Sequence, residues 1–260
     1  MRQFNSALES SNNKYTISSD WLQGRTAFGG LAAAIALKEI QARVPNERVP
    51  LSLNIEFMAP IPPGVISSSS TVIRAGKYLT QAKTTLLVGE APALSMQAVL
   101  GAPRATSFEA SYSGTSLSCS FEDARPFDSK THPGFPSFLQ HFDLRFTESG
   151  LPFTGDGNGS IGGLCKHQSQ ALGYPALIAL LDAWPPTPLP TFTKPIPAST
   201  VHWNIHFHSP NLNDIDFSES YCEYQAQTLA AQHGQVTSEA TLSLHHQVLA
   251  SARQLVAIFE

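Results

Sequence analysis

Asp182 is an acidic residue within an apolar segment of the sequence. Residues 175–186 read PALIALLDAWPP, a mostly apolar stretch that predicts a buried helix, and Asp182 lies within it. A buried carboxylate without partners costs several kcal/mol, so it should be neutralised, paired or used. Loss of hydration raises its pKa and makes it a stronger base than a surface aspartate. We therefore expect Asp182 to be either a structural carboxylate or a general base.

Two other kinds of chemistry have less support. His202, His206 and His208 could share one face of a strand, but no cysteine or acidic side chain stands near them at ligand spacing, which disfavours a metal site. The segment GDGNGSIGG lacks the Gly-Lys-Ser/Thr of a phosphate-binding loop. It also fails the Gly-x-Ser-x-Gly pattern of a nucleophilic serine, because Asn158 precedes Ser160 by two residues.

The elements that would position Asp182 occur twice. Residues 51–60 (LSLNIEFMAP) and 201–210 (VHWNIHFHSP) share Asn-Ile-x-Phe-x-x-Pro at an offset of 204 − 54 = 150. Each copy follows a segment that reads as a mostly apolar helix: GGLAAAIALKEIQARV at 29–44, whose first two turns are almost wholly Ala, Leu and Ile, and ALGYPALIALLDAWPP at 171–186. A helix that is apolar on most sides belongs inside a fold. The chain is therefore predicted to be one unit repeated in tandem.

Both copies continue into strands. In the second copy, alternation predicts one face made of Val201, Trp203, Ile205 and Phe207, and an opposite face made of Thr200, His202, Asn204 and His206. Each half thus reads as a short strand, a buried helix and several long antiparallel strands. A sheet that curls around the helix would bury its apolar positions. This predicts an α+β fold.

Composition shifts divide the chain. We expect an N-terminal unit over residues 1–110, a linker rich in Ser, Pro and charge over 111–136, and a C-terminal unit over 137–260. A second irregular, Gly-rich stretch is predicted over 149–164.

The bulk composition limits the function. The 260 residues are 42% hydrophobic and 14% charged, with a net charge of −4, which argues against a general nucleic-acid binder. No apolar run approaches the roughly 18 residues of a membrane span. Three scattered cysteines suit neither a disulfide framework nor a zinc cluster, so a reduced, cytoplasmic setting is expected.

Three motifs, in order, resemble the acyl-CoA thioesterase II (TesB-like) family, whose members have a double-hotdog fold. GRTAFGGLAAAIAL is similar to the Phe-Gly-Gly entry into the family's first central helix. TVHWNIHFHSP is similar to its Thr-x-x-x-x-x-Phe-His-x-Pro strand, and LASARQLV to its closing strand with a Gln. The resemblance covers about residues 15–258. It implies two tandem hotdogs, each an antiparallel sheet wrapped around a central helix.

The resemblance also implies a catalytic trio that holds an attacking water. Matched one at a time, the family's Asp, Thr and Gln fall on Asp182, Thr200 and Gln254, all in the second half. The implied reaction is hydrolysis of fatty acyl-CoA to free acid and CoA, with no cofactor and no metal. An assembly of two or more identical chains is expected by the same analogy.

The repeat predicts a single reactive site per chain. At the 150-residue offset, Asp182 falls opposite Ala32 and Thr200 opposite Pro50, and only the Gln has a counterpart, Gln97.

A developing oxyanion needs backbone N–H donors, and a glycine-containing helix N-terminus supplies them. Gly29, Gly30 and Gly173 are the candidates. The acyl chain would lie along the apolar seam between the halves.

Two other functions stay open on the same fold. One is a hotdog protein that binds an acyl chain or another small ligand without hydrolysing it, since a fold does not dictate function. The other is a hydratase or dehydratase, which would call for a His close behind Asp182, and none is present there.

Overall fold

The computed structural model describes residues 3–108, 110, 121–128, 135–147, 151–209 and 212–260. These ranges contain the helices α1 (Phe4–Ala7), α2 (Gly29–Gln41) and α3 (Gly173–Asp182), and short 3-10 helices at Ser19–Trp21, Ser137–His141 and Leu189–Thr191. The strands are β1 (Lys14–Ile17), β2 (Leu22–Gln23), β3 (Thr26–Ala27), β4 (Val49–Phe57), β5 (Gly64–Ala75), β6 (Leu79–Val88), β7 (Ala91–Gly101), β8 (Arg125–Phe127), β9 (Phe142–Phe146), β10 (Ser160–His167), β11 (Ala198–Phe207), β12 (Cys222–Gln232), β13 (Gln235–Leu244) and β14 (Gln247–Ile258).

Twelve of these strands form one antiparallel sheet. Its order is β1-β5-β6-β7-β4-β11-β14-β13-β12-β10-β9-β8, and β2 and β3 form a separate hairpin. The strands of the first half therefore lie on one side of β4–β11 and those of the second half on the other. Helix α2 packs on β5, β6 and β7, and α3 packs on β10 and β13. The predicted α+β class, with two tandem sheet-and-helix units, is confirmed.

The two central helices are buried against each other. All residues of α2 from Gly30 to Leu37 are buried, and eight of the ten residues of α3 are buried. Close packing depends on Gly30, where a β-carbon would lie 2.6 Å from the Phe28 ring and 3.0 Å from the Cα of Ala179 in α3. In the described ranges, no helix is long and apolar enough to cross a membrane.

The repeat is visible at the centre of the sheet. Strands β4 and β11 pair so that Asn54 lies opposite Asn204, its own counterpart in the repeat. The Asn204 amide donates to the carbonyl of Leu53 at 3.1 Å, and His202 Nε2 lies 2.7 Å from Asn54 Oδ1. The tandem repeat is thereby confirmed as a structural one; its last motif residue, Pro210, lies outside the described residues.

Two stretches predicted to be irregular contain strands. Strand β8 lies within the predicted linker 111–136, of which residues 111–120 and 129–134 lie outside the described residues. The stretch 149–164 ends as the first part of β10. Its glycines are needed there, because a β-carbon on Gly163 would overlap the backbone of Arg145 and approach the Trp184 ring to 2.5 Å. Glycine in this strand therefore marks close packing.

Candidate active site

Asp182 lies where the two central helices meet. It is the last residue of α3, and its carboxylate faces the first turn of α2. The Gly30 N–H donates to this carboxylate. At Gly29, a β-carbon would come within 2.8 Å of Asp182 Oδ2, so the absence of a side chain makes room for the carboxylate. The positive end of the α2 dipole favours the negative charge.

Burial dominates the acid–base behaviour of this group. Loss of hydration raises the pKa of Asp182 to about 7, and the hydrogen bond from Gly30 opposes that rise. The residue as a whole is only partly buried, but its carboxylate lies against the helix junction and the pKa follows the carboxylate. Near neutral pH both protonation states are populated, as a general base requires.

Thr200 and Gln254 are brought together by a β-bulge. The register of β11 against β14 shifts between Thr200 and His202, so Val201 is the extra residue. Thr200 therefore lies opposite the buried Val256, on the same face as Gln254, and the Gln254 Nε2 donates to Thr200 Oγ1 at 2.8 Å. The strict alternation predicted for residues 200–207 was thus wrong at its first two positions.

The first half lacks this arrangement. In the repeat, Leu53 is the counterpart of Trp203. Trp203 lies opposite Gln254 and Leu53 lies opposite Ala98, so Ala98 is the counterpart of Gln254. Gln97, the predicted counterpart, is exposed on the other face of its strand, and that prediction was wrong.

The predicted alignment of Asp182 with Ala32 was also wrong. Asp182 is the tenth residue of α3, and the tenth residue of α2 is Lys38. The reason is a longer connection from helix to strand in the second half, residues 183–197 against 42–48. Neither Ala32 nor Lys38 is acidic.

Phe57 connects the surroundings of Asp182 with those of Thr200. Its ring lies 3.3 Å from the position of a β-carbon on Gly29, which itself borders Asp182 Oδ2. Because β4 runs antiparallel beside β11, Phe57 and Thr200 lie at the same end of that strand pair. In the described chain no direct hydrogen bond joins Asp182 to Thr200 or Gln254.

The three predicted oxyanion donors have different surroundings. The N–H of Gly30 is directed at Asp182, and that of Gly29 has no backbone partner in the described chain. Gly173 is wrong as a candidate. It begins α3, nine residues and so about 13 Å along the helix from Asp182, and its N–H donates to the carbonyl of Ile215 at 3.1 Å.

A cavity of about 1260 Å³ is lined by residues that are close in sequence to these groups, although Asp182, Thr200 and Gln254 are not among its described lining residues. Its lining includes Ala183, next to Asp182, and Ala198, two residues before Thr200. Most of the other lining residues are aromatic side chains and prolines. Arg25 is the one charged residue among the described lining residues; it is exposed, and no ion pair to it is present within the described ranges.

One wall of this cavity was missed in the sequence. It is the hairpin β2–β3, in which Gln23 pairs with Thr26 around a two-residue turn. Gly24 has φ +67°, a conformation that glycine adopts without strain. A Gly-containing dipeptide between short strand-like runs is a hairpin signal, but each strand here has only two residues.

The histidine cluster has structural partners. His202 contacts Asn54 across the seam between the halves, and His208 Nε2 lies 2.9 Å from Ser251 Oγ. Within the part of the chain that the structure describes, no three His, Cys, Asp or Glu side chains are grouped so that they could hold a metal ion.

The architecture is that of a double-hotdog protein. A hotdog-fold protein of unknown function from Alicyclobacillus acidocaldarius superposes with a TM-score of 0.85 at 20% identity, covering 99% of this chain and 98% of that one. A protein from Thermobifida fusca YX, provisionally named a thioesterase II, gives 0.81 at 17% identity, covering 100% and 98%. The acyl-CoA thioesterase II TesB2 from Mycobacterium marinum gives 0.73 at 12% identity, covering 98% of each chain.

The sequence assigns the family. Residues 17–101 match the acyl-CoA thioesterase N-terminal domain and residues 121–258 match the acyl-CoA thioesterase C-terminal domain. The chain therefore belongs to the acyl-CoA thioesterase family. No curated protein sequence matches it.

Proposed function

We propose that this protein hydrolyses an acyl-CoA thioester to the free acid and CoA, using a water molecule activated by Asp182. The observation that supports this most is the position of Asp182, a carboxylate with a pKa raised to about 7 at the N-terminus of α2. A surface aspartate has a pKa of about 4 and would therefore be a weaker base.

The reaction needs one base that later acts as an acid. Asp182 takes a proton from the water molecule while the oxygen of that water attacks the thioester carbon. The tetrahedral intermediate then collapses, the carbon–sulfur bond breaks, and the protonated Asp182 returns the proton to the departing thiolate. The two products are a carboxylic acid and a thiol, so no covalent enzyme intermediate is required.

Thr200 and Gln254 would orient the water. The Gln254 amide donates to the Thr200 oxygen, which leaves the Thr200 hydroxyl proton and the Gln254 carbonyl free for a bound molecule. No direct hydrogen bond joins this pair to Asp182 in the described chain, and in this proposal a water molecule lies between them. The Gly29 N–H, at the positive end of α2, would stabilise the oxyanion.

One such site per chain, in the C-terminal unit over residues 137–260, follows from this proposal. The first half offers Ala98 and Lys38 at the positions of Gln254 and Asp182.

The test measures release of free CoA from acyl-CoA substrates by the full chain. We expect Asp182→Asn to lower kcat by about 10²-fold or more, the usual value of general-base catalysis. Asp214→Asn, a substitution of an exposed aspartate in the same half, should leave kcat within about twofold. Absence of CoA release by the wild-type chain would leave a ligand-binding hotdog protein instead, and full activity of Asp182→Asn would exclude the assigned base.

A further inference from the structure

The cavity that includes Ala183 is lined mainly by aromatic residues and prolines. Six of its lining side chains are aromatic: Phe127, Phe135, Phe138, Phe146, Phe153 and Trp184. Seven more lining residues are prolines. Rings and prolines have few rotatable bonds, so the shape of this cavity is largely fixed before a ligand enters.

Four of the rings form a continuous series that ends at Trp184, which stacks on Tyr224 at 4.8 Å between ring centres; the charge of Asp182 helps to raise the pKa of Tyr224, so the two groups are close. Phe135 packs on Phe127 at 4.9 Å between ring centres, Phe127 on Phe146 at 6.1 Å, and Phe146 on Trp184 at 5.1 Å, with interplanar angles of 60°, 68° and 71°. Trp184 follows Asp182 by two residues. Tilted and edge-to-face contacts of this kind are the preferred geometry of aromatic pairs, and an additional ring could extend the series.

A fifth ring is held in the cavity wall by a costly backbone conformation. Phe153 has φ +68°, in the left-handed region that bulky residues rarely adopt. Its N–H donates to the carbonyl of Leu189 at 3.0 Å, and its side chain is half-buried against the cavity. Backbone strain that the surrounding structure maintains is concentrated at binding and catalytic sites.

We propose that the acyl group of the substrate carries an aromatic ring, which binds in this ring-walled cavity. This proposal rests on the proposed function and narrows its substrate from acyl-CoA in general to aryl- or arylalkanoyl-CoA. A planar ring gains edge and face contacts with the wall and loses few internal rotations on binding. A saturated chain gains no such contacts and has to fix each of its carbon–carbon rotations.

The experiment compares phenylacetyl-CoA with octanoyl-CoA, whose acyl groups both contain eight carbons. The wild-type chain is expected to hydrolyse phenylacetyl-CoA with a kcat/KM at least about tenfold higher, the effect of two or three added ring contacts. Equal values, or a preference for octanoyl-CoA, would overturn the proposal.

Two substitutions test the wall itself. Phe153→Leu and Phe135→Leu keep an apolar side chain but remove a ring, and each should lower the phenylacetyl-to-octanoyl ratio by about threefold to tenfold. The control is Phe259→Leu, the same substitution at an exposed ring outside the cavity, which should leave the ratio unchanged. A ratio that stays constant in both cavity variants would contradict the assignment.

A binding measurement keeps this proposal separate from the proposed function. Dissociation constants of both thioesters are measured with Asp182→Asn, which should hydrolyse them at least about 10²-fold more slowly than wild type. If the wild-type chain releases no CoA, the hydrolytic proposal fails, and the cavity is still judged by these constants. Tighter binding of phenylacetyl-CoA by about tenfold supports the aromatic site, and equal binding refutes it.

Discussion

The carboxylate of Asp182 carries a stability cost that can be measured. Its pKa in the folded chain is about 7, above the ordinary value of 3.8. Between these pH values the folded protein retains a proton that the unfolded chain releases. The free energy of unfolding therefore falls as the pH rises through this window and stays lowered above pH 7.

Removing that charge should stabilise the fold although it lowers turnover. A full shift corresponds to about 4 kcal/mol, and because Asp182 is partly exposed we expect Asp182→Asn to raise the free energy of unfolding at pH 8 by on the order of 1–3 kcal/mol. Urea unfolding at pH 8 and pH 4 measures this, with the gain small at pH 4. Unchanged stability at pH 8 would mean that the carboxylate is not desolvated.

The hydroxyl of Thr200 is predicted to matter more than its shape. Thr200→Val preserves the volume but removes the acceptor for Gln254 Nε2. We expect kcat to fall by about tenfold to 10²-fold, the usual effect of losing one orienting polar group. Thr200→Ser keeps the hydroxyl and should stay within a few-fold of wild type in the same CoA-release assay. Equal losses in both variants would point to packing instead of hydrogen bonding.

At the scale of elements, periodicity in the sequence predicted the helices and the repeat but not the local departures from regularity. The apolar runs of α2 and α3 predict burial because no other environment suits them. The bulge at Val201 cannot be predicted from periodicity. One extra residue changes which side chains face inward, but the strand still reads as alternating apolar and polar residues. Whether Thr200 meets Gln254 depends on that one residue.

Glycine in β10 illustrates the same limit. The sequence SIGGL predicts an irregular segment, whereas Gly163 is required in a regular strand because neighbouring atoms occupy the space of a side chain. This requirement comes from Arg145 and Trp184, which are distant in sequence, so it cannot be predicted from the residues around Gly163.

Contact between the central helices should be sensitive to one methyl group. In Gly30→Ala the new β-carbon would meet the Phe28 ring and the backbone of Ala179, both of which are fully buried. We expect a loss of about 1–3 kcal/mol in the free energy of unfolding, typical of overpacking. Chemical denaturation of the variant measures it. No loss would show that the helices can separate slightly at no cost.

On the scale of the whole molecule, stability should depend on pH through a second buried group with the opposite sign. Burial lowers the pKa of His167 to about 4, and its ring packs between Phe4 and Phe142 while Nε2 lies 2.9 Å from the carbonyl oxygen of Ala176. Between pH 6.5 and 4 the unfolded chain binds a proton that the folded chain does not, so stability falls as the pH falls.

His167→Gln should weaken this acid sensitivity. A full shift is worth about 3 kcal/mol, so the unfolding free energy of wild type should drop between pH 7 and pH 5 by about 1–2 kcal/mol more than that of the variant. The variant can lose stability at every pH, but only the difference between the two pH values tests the titration. Parallel curves for both proteins would assign the acid sensitivity elsewhere, for example to His141, whose pKa is also lowered by burial.

The most direct test of the account is the pH dependence of kcat/KM for CoA release. Because Asp182 must be ionised to accept a proton from water, the rate should rise with pH and level off above an apparent pKa near 7. The residual rate of Asp182→Asn should lack that inflection, while Asp214→Asn should retain it. A wild-type profile that is flat between about pH 5.5 and 8.5, or an inflection that survives in Asp182→Asn, would contradict the assignment of this carboxylate as the base.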